Sequence, residues 1–172
     1  MNRLILANAK LCVGCDACVD ACAEAHKNVG LQAQSRMTIV RNGDVATPIT
    51  CRQCENAPCA QICPVGAITM GESSIDLNEA KCIGCKLCAF VCPFGVIGFS
   101  TSKGDADGQE DARTVAVKCD LCASSANGPE CVKACATNAL FLVDAKALRK
   151  SSNAKRKASV SNMPAFTDDS VG

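Results

Sequence analysis

Sixteen cysteines carry whatever chemistry this 172-residue chain performs, and they fall into four groups with none left over. Cys12, Cys15, Cys18 and Cys22 are separated by two, two and three residues, and Cys82, Cys85, Cys88 and Cys92 repeat that spacing. Cys51, Cys54, Cys59 and Cys63 open the middle gap to four residues, and Cys119, Cys122, Cys131 and Cys135 open it to eight. Disulfides fit poorly, because cysteines two or three residues apart are unfavourable partners for one another. Structural zinc wants two well-separated CxxC knuckles, not four ligands on one loop. Cysteine as core filler would show no such spacing. The pattern C-x2-C-x2-C-x3-C-P is that of bacterial iron–sulfur proteins, and "KCIGCKLCAFVCPFG" (81–95) matches it through Cys92-Pro93.

Three cysteines at intervals of three can wrap one Fe4S4 cube, while the fourth ligates a neighbouring cube. The proline after that fourth cysteine fixes φ and removes a backbone N–H. Sixteen thiolates thus divide into four [4Fe-4S] clusters, and the groups must exchange their fourth ligands in pairs. The second and third groups are adjacent, so the first and fourth are left to pair around them. This nested reading gives Cys12, Cys15, Cys18 and Cys135 (cluster 1), and Cys22, Cys119, Cys122 and Cys131 (cluster 2). Cys51, Cys54, Cys59 and Cys92 make cluster 3, and Cys63, Cys82, Cys85 and Cys88 make cluster 4. Sequential pairing, first with second and third with fourth, is the open alternative.

The elements needed to position these loops are short. "GAITM" (66–70), a Gly71-Glu72-Ser73 turn and "SIDL" (74–77) predict a hairpin between the second and third groups. "RMTIVRNGDVATPIT" (36–50) predicts another, turning at Asn42-Gly43. "CPVGAITM", "CPFGVIGF" and "CATNALFL" each lead from a fourth cysteine into a strand, whereas "CAEAHKNVG" continues as helix to about Gly30. Residues 100–113 are polar, Gly-rich and mostly acidic, a predicted surface loop, and "TVAVKC" (114–119) returns as a strand. From Lys146 the chain turns basic and aperiodic, a terminal arm helical only at its start.

Composition narrows the function. Five Phe and no Trp or Tyr make a thin conventional core, so the cofactors must help cross-link the fold. The formal charge is +1; four oxidised cubes at roughly −2 each would bring it to about −7. The basic arm lacks aromatic interleaving, which argues against nucleic acid. No stretch approaches a membrane span, and the first residues carry neither a secretory h-region nor paired arginines. A cytoplasmic location is therefore expected, with any membrane association only peripheral, through a complex. There is no Ser/His/Asp or Cys/His catalytic set and no GxGxxG or Walker loop, so no catalytic residue is assigned. His26, the sole histidine, is expected on a loop or helix surface.

"MNRLILANAKLCVGCDAC", "CRQCENAPCAQICPVGAI", "LNEAKCIGCKLCAFVCPFG" and "VKCDLC" with "GPECVKAC" extend over residues 1 to 144. Through them the chain resembles the four-cluster polyferredoxin subunits that serve molybdenum enzymes and hydrogenases. It is similar to the electron-transfer subunits of formate hydrogenlyase and hydrogenase-4, to the formate-dehydrogenase-associated relatives, and to those of hydrogen-dependent carbon dioxide reductase. It departs from them in a shorter loop after the third group and in Ala136 at the usual proline. The resemblance implies an α+β fold, a tandem, pseudo-symmetric double ferredoxin-like (bis-[4Fe-4S]) arrangement with nested ligation. Residues 1–46 with 114–145 would form an outer unit and 47–100 an inner one, joined by a 101–113 surface loop and followed by a 146–172 arm. It implies a non-catalytic subunit relaying single electrons between a molybdopterin- or tungstopterin-dependent formate dehydrogenase and a hydrogenase, alongside further iron–sulfur subunits. A free-standing soluble shuttle and an assembly factor for formate dehydrogenase are the rival readings.

Overall fold

The computed structural model describes residues 1–101, 113–125 and 128–162. Most of the predicted acidic loop, including Asp105, Asp107, Glu110 and Asp111, and the last ten residues of the arm lie outside them. The described chain is a small α+β fold built from four two-stranded antiparallel sheets and short helices.

Two sheets are local hairpins. β2 (Thr38–Asn42) pairs with β3 (Val45–Ile49), and β4 (Ile68–Met70) with β5 (Ile75–Leu77). Asn42 sits opposite Val45, so the two loop residues are Gly43 and Asp44, one position later than expected. The other two sheets join distant segments. β1 (Leu4–Ala7) pairs with β8 (Leu140–Val143), which brings the strand before the first cysteine group beside the strand after the fourth. β6 (Gly98–Thr101) pairs with β7 (Thr114–Val117).

Each third cysteine lies in a helix: Cys18 in α1 (Ala17–Lys27), Cys59 in α2 (Pro58–Gln61), Cys88 in α3 (Leu87–Phe90) and Cys131 in α4 (Glu130–Lys133). α1 runs on through Cys22 as expected, while α2, α3 and α4 last a single turn. The fourth cysteine of each short group then bonds back: Cys63 N–H to the Ala60 carbonyl at 3.3 Å, Cys92 to Ala89 at 3.3 Å and Cys135 to Val132 at 3.4 Å. The chain reverses three residues later through the left-handed region, at Gly66, Gly95 and Asn138. Glycine adopts that conformation freely and asparagine tolerates it, so CPVG, CPFG and CATN make the same turn.

The interior holds two apolar clusters with cysteines interleaved. Ala57, Ala67, Ile68, Ile75, Ile97, Val115 and Ala116 surround Cys59, Cys82 and Cys88. Ile5, Met37, Leu121 and Leu140 surround Cys18, Cys51, Cys119 and Cys131.

The arm departs from expectation. α5 spans Ala145–Ser161, 17 residues, well beyond a helical start. Asp144 caps it, its carboxylate accepting from the Ala147 N–H at 2.6 Å, and alanine, lysine and arginine are strong helix formers. None of its residues is buried.

Candidate metal centre

Each group opens with a CxxC loop whose residue before the second cysteine is left-handed: Gly14, Gln53, Gly84 and Leu121. A loop so turned carries its thiols and backbone N–H groups around one concavity. At Gly84 space also matters, since a Cβ would lie 2.5 Å from the Thr114 carbonyl oxygen.

The structure gathers the thiols across the sequence. Cys63 lines one small apolar cavity with Cys82, Cys85 and Cys88, beside Val65, Ile68, Leu77 and Phe99. Cys135 lines a second with Cys12, Cys15 and Cys18, beside Ile39, Pro48 and Leu140. Burial pushes the Cys18 thiol up to about 11, and nearby Cys135, Cys12 and Cys15 add to the rise. Burial likewise takes Cys88 up to about 11, helped by Cys82, Cys59 and Cys85. Cys54 and Cys59 are raised first by burial and then by charge on Cys51 and Cys92. Cys119 is pushed up to about 12 by burial, against a backbone hydrogen bond. Cys131 rises through burial and the proximity of Cys119, Cys22 and Cys122, and Cys122 through burial, Asp120 and Cys22. All sixteen thiols are free. Thiols gathered in fours around one small cavity suit a polynuclear iron cofactor, so the residues fit iron–sulfur clusters.

The fourth cysteines differ. Burial acts upward on Cys63, yet N–H groups of the turn at Val65–Ile68 outweigh it, the Ala67 N–H reaching Sγ at 3.2 Å. Cys135 is also lowered despite burial, by Thr137 and by the turn that places the Ala139 N–H 3.2 Å from its sulfur. Successive N–H groups in such a turn form an anion nest. Cys22 lies in α1 and has no such turn. Burial opposes its lowering, which comes from His26 and from the Arg36 N–H at 3.3 Å.

His26 is thus on a helix but buried, at 2% exposure, not on the surface as expected. Its Nδ1 donates to the Cys22 carbonyl at 2.6 Å and its Nε2 lies 2.9 Å from the Asp120 carboxylate. Burial alone would lower its pKa; the Asp120 and Cys22 contacts raise it to about 10. Ligand atoms of His26, Asp120 and Cys122 lie within 4.8 Å of one another. Both imidazole nitrogens are already engaged, so the set reads as support for the Cys22 and Cys122 loops. Other polar contacts had no sequence signature. The buried Arg36 pairs with the half-buried Glu79, and Arg113 donates from Nε to the Cys82 carbonyl at 3.0 Å.

Fold and cysteine geometry together define a ferredoxin-like iron–sulfur protein. Residues 44–145 match the family described as the 4Fe-4S dicluster domain. The chain is 39% identical to hydrogenase-4 component A of Escherichia coli K12, covering 94% of this chain and 92% of that one. It is 40% identical to formate hydrogenlyase subunit 2 of the same strain, covering 91% and 89%. It is 36% identical to that strain's electron transport protein HydN, covering 91% and 97%. The chain belongs to the 4Fe-4S dicluster family of iron–sulfur electron-transfer proteins. No helix among the described residues is long and apolar enough to cross a membrane.

Proposed function

We propose that the chain is a non-catalytic, cytoplasmic electron-transfer subunit holding four [4Fe-4S] clusters. Its two partners are a pterin-dependent formate dehydrogenase and a hydrogenase, a reading supported by the relatives named hydrogenase-4 component A and formate hydrogenlyase subunit 2. The ligand sets are the nested ones: Cys12, Cys15, Cys18 and Cys135; Cys22, Cys119, Cys122 and Cys131; Cys51, Cys54, Cys59 and Cys92; and Cys63, Cys82, Cys85 and Cys88. The observation that carries this reading is the meeting of Cys135 with the first group and of Cys63 with the third, which favours it over sequential pairing. The β1–β8 sheet is consistent with it, since it sets the strand before Cys12 beside the strand that follows Cys135, the fourth ligand of that set.

A bound cube supplies one-electron exchange without bond making or breaking. The chain holds the thiolates and donates N–H groups to sulfur, which tunes potential. Cys15 and Cys85 are exposed, while Cys22, Cys119, Cys122 and Cys131 are all buried. The outer ligand sets therefore face partners and the Cys22 set lies inside. Exposed Ile83, Leu87 and Phe90 near Cys85 give one such face the apolar character of a protein interface core. The domains are the tandem double unit, 1–46 with 114–145 around 47–100, the 101–113 loop, and the basic 146–172 arm as a docking element.

Purification of a tagged chain from anaerobic, formate-grown cells tests this reading. A large pterin-containing chain co-eluting with it is expected. A fully iron-loaded chain that elutes alone would instead make it a free shuttle.

A further inference from the structure

Lys118 is 1% exposed, and its neighbour in the fold, Gln53, is equally buried. The two side chains close a ring of hydrogen bonds. Lys118 Nζ donates to the Ile75 carbonyl and, at 2.9 Å, to the Cys119 carbonyl. Gln53 Nε2 donates to the same Cys119 carbonyl at 2.8 Å, and Gln53 Oε1 accepts from the Ile75 N–H at 2.8 Å. Every partner is neutral, and no carboxylate among the described residues forms an ion pair with Lys118. A buried ammonium held only by carbonyls is costly unless an anion lies near.

The anions are supplied by the ligand loops. Gln53 stands between Cys51 and Cys54, its N–H 3.5 Å from Cys51 Sγ. Lys118 adjoins Cys119 in the chain, and its charge is felt by the Cys59 thiol as well as by Cys119. The ring therefore sits at the seam between the Cys51/Cys54/Cys59/Cys92 set and the Cys22/Cys119/Cys122/Cys131 set.

We propose that Lys118 is the buried counter-charge of these two centres, raising their reduction potentials and making the seam the place where an electron rests between the two exposed ends. The inference rests on the four-cluster reading. Reduction adds one electron and one negative charge to a centre, with no proton required. A fixed positive charge in a low-dielectric seam favours that reduced state. The exposed sets at Cys15 and Cys85 lie outside the ring and are affected less. Gln53 positions the ammonium without contributing charge.

The test is an anaerobic dithionite titration followed by electron paramagnetic resonance, on the full chain and on Lys118→Gln, Lys118→Met and Lys118→Arg, with iron counted in each. Iron content of the parent chain is read first, and a parent without four clusters overturns the underlying reading and this inference with it. With the parent loaded, the neutral variants should lose at least tenfold in the equilibrium constant for reducing two of the centres, about 59 mV for a one-electron couple. Lys118→Arg should restore most of that loss. If both neutral variants lose iron while Lys118→Arg keeps it, the charge is still what the seam requires. Unchanged potentials in a loaded neutral variant, or failure of Lys118→Arg to load or to restore the potentials, would show that Lys118 only packs the seam.

Discussion

At the scale of the residue, sulfur position and thiolate chemistry make separable predictions. Cys63→Ser should disturb the centre of Cys82, Cys85 and Cys88 and spare that of its own neighbours Cys51, Cys54 and Cys59. Spectra of the variant with each centre assigned decide between them, and disturbance at the first group instead would favour sequential pairing. Iron binding needs thiolates, so each cysteine must shed its proton as a cluster forms. Cluster assembly on the iron-free chain should therefore release protons and improve as pH rises from 7 towards 9, with loss favoured on the acid side. Reconstitution yield that ignores pH would contradict this. Gly84→Ala should cost about 1–2 kcal/mol for the left-handed conformation alone, with the approach to Thr114 adding to it. Faster cluster loss on mild denaturation would report it. The four cysteine groups were legible because their spacing is a local pattern. His26, Gln53 and Lys118 were not, because burial of a lone polar side chain depends on partners far away in sequence, such as Asp120 for His26 and Ile75 for Lys118.

At the scale of the element, turn residues mark the local hairpins, while pairings between distant strands leave no local signal. The 38–49 and 68–77 hairpins follow from turn residues between short apolar runs, and only the Asn42-Gly43 turn moved, by one residue. Nothing local in "LILA" names Leu140–Val143 as its partner, nor Thr114–Val117 for Gly98–Thr101. The length of α5 is not legible in the sequence because it has no apolar periodicity; its helix rests on propensity and the Asp144 cap. Lys146, Arg149, Lys150, Lys155, Arg156 and Lys157 lie on it without a carboxylate between them, which suits an acidic partner surface. Truncation after Asp144 should leave iron content unchanged and weaken complex formation at low salt. The deficit should shrink as salt screens the wild-type contacts. A truncated chain with full affinity for its partner at low salt would reduce the arm to a passive end.

At the scale of the whole molecule, the fold is expected to depend on its clusters. The two apolar clusters are built from small aliphatic residues with cysteines between them, so stripping iron should abolish cooperative unfolding and much of the near-native structure. An iron-free chain that still unfolds in one sharp transition would contradict this. The central claim, that the thiols of four loops are shared out among four cubes, is tested most directly by anaerobic iron and acid-labile sulfide analysis of the purified chain. The account predicts about 16 iron and about 16 sulfide per chain, from four iron and four sulfide per cube. Zinc in place of iron, or iron close to eight per chain, would contradict it.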